Sequence, residues 1–101
     1  MAFRVVLLGE NKAEIERIGA SLRPEFEVSC LCLAGQAFEA MRTSQADLLI
    51  LSDDPRDMSA LTCLQVLRQT QDFSVTPVMM LSSQRGEERL LQAFDLGIED
   101  Y

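Results

Sequence analysis

Apolar and polar positions along this chain fall into short blocks with two alternating periods. Phe3-Arg4-Val5-Val6-Leu7-Leu8 is a β-branched, apolar run stopped by Gly9, which predicts a buried strand. Over 11–22 the apolar residues Ile15, Ile18 and Leu22 recur at helical spacing. Asn11 stands as N-cap of that helix, with Glu14 three residues on as in a capping box, and Pro24 closes it. Phe26-Glu27-Val28-Ser29-Cys30 alternates and Leu31-Cys32-Leu33 is wholly apolar, a second strand. Ala37, Phe38 and Met41 predict a helix over 36–42 with Gly35 as its cap. A third strand covers 46–51, where Leu48-Leu49-Ile50-Leu51 predicts burial on both faces.

After the polar loop Ser52-Asp53-Asp54-Pro55-Arg56-Asp57, residues Leu61, Leu64 and Leu67 predict a helix over 59–68. Thr76-Pro77-Val78-Met79-Met80-Leu81 is a fourth strand, whose proline is tolerated near its start. A fourth helix is predicted over 87–96, with Leu90, Leu91 and Phe94 inward and Gly97 just past its end. Four β-α units in strict alternation predict an α/β fold, a parallel sheet covered by helices on both faces. Ligands of such folds gather beyond the carboxyl ends of the strands, where the strand order reverses. Those ends carry Gly9-Glu10, Ser52-Asp53-Asp54 and Ser82-Ser83, an acidic corner with hydroxyls beside it.

Composition narrows the chemistry. The 101 residues suit one domain, and 48% apolar content suffices for a core. With no histidine in the chain, there is no Ser-His-Asp or Cys-His nucleophile system, no His-ligated zinc and no histidine base. A net charge of −7 argues against direct nucleic-acid binding, which needs clustered Lys and Arg. No apolar run is long enough to cross a bilayer, and no secretory signal is visible, so a cytoplasmic location is expected. The three cysteines do not form a disulfide framework. Cys30 and Cys32 share one face of a strand and read as small apolar side chains; a soft-metal or redox pair is the alternative. No glycine-rich nucleotide cradle is present.

Four segments together resemble the receiver domain of bacterial two-component response regulators. Ala46-Asp47-Leu48-Leu49-Ile50-Leu51 resembles the strand leading to the phosphorylated aspartate. Met58-Ser59-Ala60-Leu61 resembles the family's M-D-G-L turn, and Thr76-Pro77-Val78-Met79-Met80-Leu81-Ser82-Ser83 its T-P-V-I-x-L-T-A strand. Ala93-Phe94-Asp95-Leu96-Gly97-Ile98-Glu99-Asp100-Tyr101 resembles its A-x-x-x-G-A-x-D-Y segment. The resemblance implies a flavodoxin-like sheet of order 2-1-3-4-5. It also implies that the fifth strand and helix are missing here, so that residues 1–101 are the receiver-like N-terminal part of a longer protein.

Carried over residue by residue, the resemblance implies an altered site. Gly9 holds no acid where the first of two should stand, and Glu10 keeps the second. Ser52 occupies the phosphoacceptor position, and Ser82 and Tyr101 occupy the switch positions. The family's lysine would lie beyond Tyr101. Phosphotransfer needs a carboxylate nucleophile and a hard divalent cation. The loss of acids at positions 9 and 52 leaves Glu10, with a carbonyl from the 52–54 loop, to hold Mg²⁺ weakly. A serine hydroxyl is a poor nucleophile without a base, and no histidine can serve. If the strand persists through Ser52, Asp53 points away from Glu10; a bulge would be needed to bring it back. Asp54 and Asp57 read as a solvated loop.

The leading expectation is therefore a degenerate, pseudo-receiver module acting through protein–protein contacts. Its expected partners are an output domain in the same polypeptide, a second receiver or a histidine kinase. A homodimer is expected as well, because the fourth strand would be an open sheet edge. The alternatives are a receiver phosphorylated on Asp53 with Mg²⁺ and a fragment of a small α/β enzyme.

Overall fold

In the computed structural model, residues 3–73 and 76–81 are described. They form β1 (Arg4–Gly9), α1 (Lys12–Leu22), β2 (Glu27–Leu31), α2 (Ala34–Ser44), β3 (Leu48–Ser52), α3 (Ala60–Gln69), a single 3-10 turn at Gln71–Phe73 and β4 (Val78–Leu81). The strands make one parallel sheet in the order β2-β1-β3-β4; the alternating pattern predicts the parallel sheet, and the resemblance implies the order. Among the described residues no helix is long and apolar enough to cross a membrane. The expected fourth helix, Ser82 and Tyr101 lie outside the described residues.

The strand patterns dictate where the layers sit. Val6 and Leu8 of β1, Leu49 and Leu51 of β3, and Val78 and Met80 of β4 pack with Ala37 and Met41 of α2 and Leu64 and Leu67 of α3. Val5, Leu7 and Ile50 face the other way, against Ile15 of α1. Both faces of β1 and β3 are thus buried, which explains their unbroken apolar runs. Each wholly buried leucine contributes about 1.5–3 kcal/mol of hydrophobic stabilisation.

The helix ends show where local signals sufficed. Asn11 caps α1, its Oδ1 accepting from the Glu14 amide at 3.1 Å, and Ser59 caps α3 by accepting from the Thr62 amide at 3.1 Å. The second helix departs from expectation. It starts at Ala34, two residues before the predicted start, and its N-cap is Leu33, which offers no side-chain acceptor. The acceptor comes from far along the chain. Asp57 takes the Ala34 amide at 2.7 Å and the Gly35 amide at 3.2 Å.

Candidate functional site

The strand order reverses between β1 and β3, and there the register pairs Gly9 with Ser52. A cavity of about 660 Å³ opens at this edge, lined by Glu10, Asn11, Lys12, Ala13, Glu14, Ser52, Asp53 and Arg56. Its position follows from topology: the loops after β1 and β3 diverge to opposite sides and leave a crevice between them.

Ser52 is the last residue of β3 and is 4% exposed. Its Oγ donates to Glu14 Oε1 at 3.1 Å. Glu14 therefore supplies its backbone amide to the Asn11 cap but turns its carboxylate to the tip of β3. The capping-box pattern predicted a local role for that side chain; the structure gives it a contact 38 residues away. With no histidine in the chain to stand beside Ser52, a carboxylate does so instead.

Gly9 is packed too tightly to carry a side chain. A Cβ there would stand 2.8 Å from Ile15 Cγ2, 2.8 Å from the Ser52 carbonyl oxygen and 3.1 Å from Ser52 Cβ. The site lacks an acid at this position and also lacks room for one.

β3 does persist through Ser52. Asp53 then leaves the strand in the left-handed region, at φ 56°, and its amide donates to the Leu81 carbonyl at 2.8 Å. This turn replaces the expected strand-like orientation, so Asp53 lines the same cavity as Glu10. Asp54 and Asp57 are not merely solvated. Asp54 Oδ1 accepts from the Ala60 amide at 2.7 Å at the start of α3, and Asp57 anchors α2. Although partial burial works to raise the Asp57 carboxyl pKa, the amides of Ala34 and Gly35 outweigh it and hold the carboxyl below its ordinary value.

Arg56 was not singled out by the sequence pattern. Its amide donates to the Cys32 carbonyl at 2.9 Å and its Nε to the Glu10 carbonyl at 3.0 Å. These two bonds tie the loop after β3 to the end of β2 and to the loop after β1. Lys12 adds a second cation to the cavity lining. Formally the cavity holds three carboxylates (Glu10, Glu14, Asp53) against two cations (Lys12, Arg56).

The cysteines are free thiols. Cys30 and Cys32 pack against the α1-side cluster, and burial leads the causes that raise the Cys30 thiol. Both pack among apolar neighbours, and Cys30 Sγ also accepts from the Arg23 guanidinium and donates to the Ile15 carbonyl, each at 3.6 Å.

No protein-family model matches the chain, and no curated protein matches it. Solved structures do. The chemotaxis response regulator CheY4 of Vibrio cholerae aligns with a TM-score of 0.87 at 15% identity, over 99% of this chain and 84% of that one. The phosphorylated cyanobacterial phytochrome response regulator RcpA aligns at 0.87 and 22% identity, over 100% and 79%. The Mn²⁺-bound form of response regulator Rcp1 aligns at 0.83 and 16%, over 98% and 78%. The architecture is thus α/β and flavodoxin-like. Within that class it is the receiver fold.

Proposed function

We propose that this chain is a receiver-type regulatory module of two-component signalling whose state is set by the proteins it binds and not by an aspartyl phosphate. The observation that carries this reading is the tip of β3, where a buried alcohol, Ser52, is hydrogen-bonded to Glu14 beside a Gly9 that has no room for an acid.

The reading turns on charge and geometry. Acyl-phosphate chemistry needs a carboxylate in line with the phosphoryl group and a hard cation to take up developing charge. RcpA is known in phosphorylated form, Rcp1 with Mn²⁺ and the DrrB receiver domain activated by BeF₃. Among the described residues of this chain, no three His, Cys, Asp or Glu side chains converge to hold a metal ion. Glu10 and Asp53 line the cavity, Glu14 is engaged by Ser52, and position 9 holds no carboxylate. With no acid at positions 9 and 52, this set is poorer in carboxylates for Mg²⁺ than the pattern the resemblance implies. A partner that binds one conformation better shifts the population without any covalent step. We assign that role to an output domain in the same polypeptide, a second copy in a homodimer, or a receiver or histidine kinase in the cytoplasm.

A second reading is favoured by one observation: Asp53 lines the cavity with Glu10 and is a carboxylate. In that reading Asp53 accepts the phosphoryl group. Amide ¹H–¹⁵N spectra recorded with and without Mg²⁺ and beryllofluoride separate the two. The first reading expects unchanged spectra. Shifts centred on Asp53 and the loop after β1, abolished by Asp53→Asn, refute it and establish the second.

A further inference from the structure

We propose that Arg56 is the resident cation of the cavity between β1 and β3, a specificity-determining residue whose guanidinium closes that space to divalent metal ions. The inference deepens the reading above and rests on it for a module whose state needs no metal.

The loop after β3 is fixed residue by residue. The Asp53 amide donates to the Leu81 carbonyl of β4 at 2.8 Å, and Asp54 Oδ1 accepts from the Ala60 amide of α3 at 2.7 Å. The Asp57 carboxylate accepts from the Ala34 and Gly35 amides of α2. Between these anchors the Arg56 amide donates to the Cys32 carbonyl, just past the end of β2, at 2.9 Å. The backbone from which the Arg56 side chain departs is therefore held from several sides. That side chain crosses to the loop after β1, where its Nε donates to the Glu10 carbonyl at 3.0 Å.

This placement opposes a metal ion in two ways. Hard cations are bound by oxygen, backbone carbonyls included, and the Glu10 carbonyl is an oxygen that Arg56 already engages. A guanidinium also stays charged at every pH a folded protein meets. A permanent positive charge, tied down at its Nε, thus lines the space shared by the carboxylates of Glu10, Glu14 and Asp53. Lys12 lines the same space, as a compact charge on a flexible stem. The carboxylates meet a cation that the chain itself supplies. Across a wet cavity one such charge weakens the binding of a divalent ion by about tenfold.

The test titrates Mn²⁺ into the ¹⁵N-labelled full chain at constant ionic strength and reads paramagnetic broadening of the amides. Mg²⁺ serves as competitor, and circular dichroism checks each variant's fold. In the native chain, residues 10–14 and 52–56 should broaden no more than amides beside the exposed carboxylates Glu25 and Glu39. Arg56→Gln and, as a second neutral variant, Arg56→Met should bind Mn²⁺ about tenfold more tightly at those amides, displaceably by Mg²⁺. Arg56→Lys should stay near the native chain. Lys12→Gln should gain less, because it removes a charge without freeing the Glu10 carbonyl. Native broadening as strong as that of Arg56→Gln, no gain in either neutral variant, or an equal gain in Lys12→Gln overturns the inference and leaves the interaction-module reading standing. Native shifts at Asp53 that require Mg²⁺ and beryllofluoride together overturn both.

Discussion

Gly9→Ala tests the steric account of the site with the smallest possible change. The added methyl would stand 2.8 Å from two atoms, Ile15 Cγ2 and the Ser52 carbonyl oxygen. Ile15 is 1% exposed and already fixed by the α1-side core. The carbonyl belongs to β3, whose position is set by pairing with β1 and β4. Neither neighbour can turn aside by a rotamer change. Overpacking of this kind costs about 1–3 kcal/mol. Replacing glycine also restricts the unfolded chain, which returns about 0.4–1 kcal/mol. The net expectation is a loss of about 1–2 kcal/mol, with Tm falling about 4–8 °C for each kcal/mol. Gly9→Asp should lose more, because it adds a carboxylate where burial disfavours the charge. Urea titration gives the midpoints, and an unchanged slope shows that stability itself moved. A G9A variant as stable as the native chain would refute the claim that position 9 has no space for an acid.

Three further outcomes follow from contacts described above. Asp57→Ala should cost about 0.5–1 kcal/mol through lost capping of α2, at the low end because the site is exposed. Its carboxyl is held below the ordinary value of 3.8, so its stabilisation is complete above that value and is lost as pH falls through the lowered folded-state pKa. Native and D57A unfolding curves should therefore converge in acid, and a gap that widens there contradicts the capping role. Burial, with a smaller contribution from Asp57, pushes the Cys63 thiol up to about 12, so thiol reagents at neutral pH should leave Cys63 unlabelled until the chain unfolds; rapid labelling of the native protein would contradict its placement. Gln45 closes α2 in the left-handed region at φ 53°, and Gln45→Gly should raise stability by about 0.5–1 kcal/mol in the same urea assay.

The described strands and helices are legible because their signals are local and periodic. The run at Leu48–Ile50 announces a doubly buried strand, and Asn11 and Ser59 cap their helices from adjacent positions. The start of α2 was misplaced because its cap is Asp57, 23 residues away, a relation no window of sequence contains. The same reason hid the partnership of Glu14. Its spacing from Asn11 fits a capping box, yet the carboxylate is drawn to Ser52 once β3 and α1 meet. Asp53 illustrates a different limit. Alternation along a strand holds only while the strand lasts, and one residue at positive φ redirects everything after it. Arg56 could have been suspected, as a lone cation within a loop of aspartates, but its bond to the Glu10 carbonyl depends on a fold that brings two loops together.

The described residues fill the two faces of the sheet unequally. Among the described residues, the side carrying α2 and α3 holds the larger set of wholly buried side chains, whereas α1 contributes Ile15 and Gly19 as buried residues. Free energies of local opening follow packing of this kind, so amide exchange measured along α1, α2 and α3 reports which layer opens first. Because Glu14 sits on α1 and Ser52 at the tip of β3, their bond couples the helix to the strand, and whatever shifts α1 on the sheet governs how long the alcohol stays engaged.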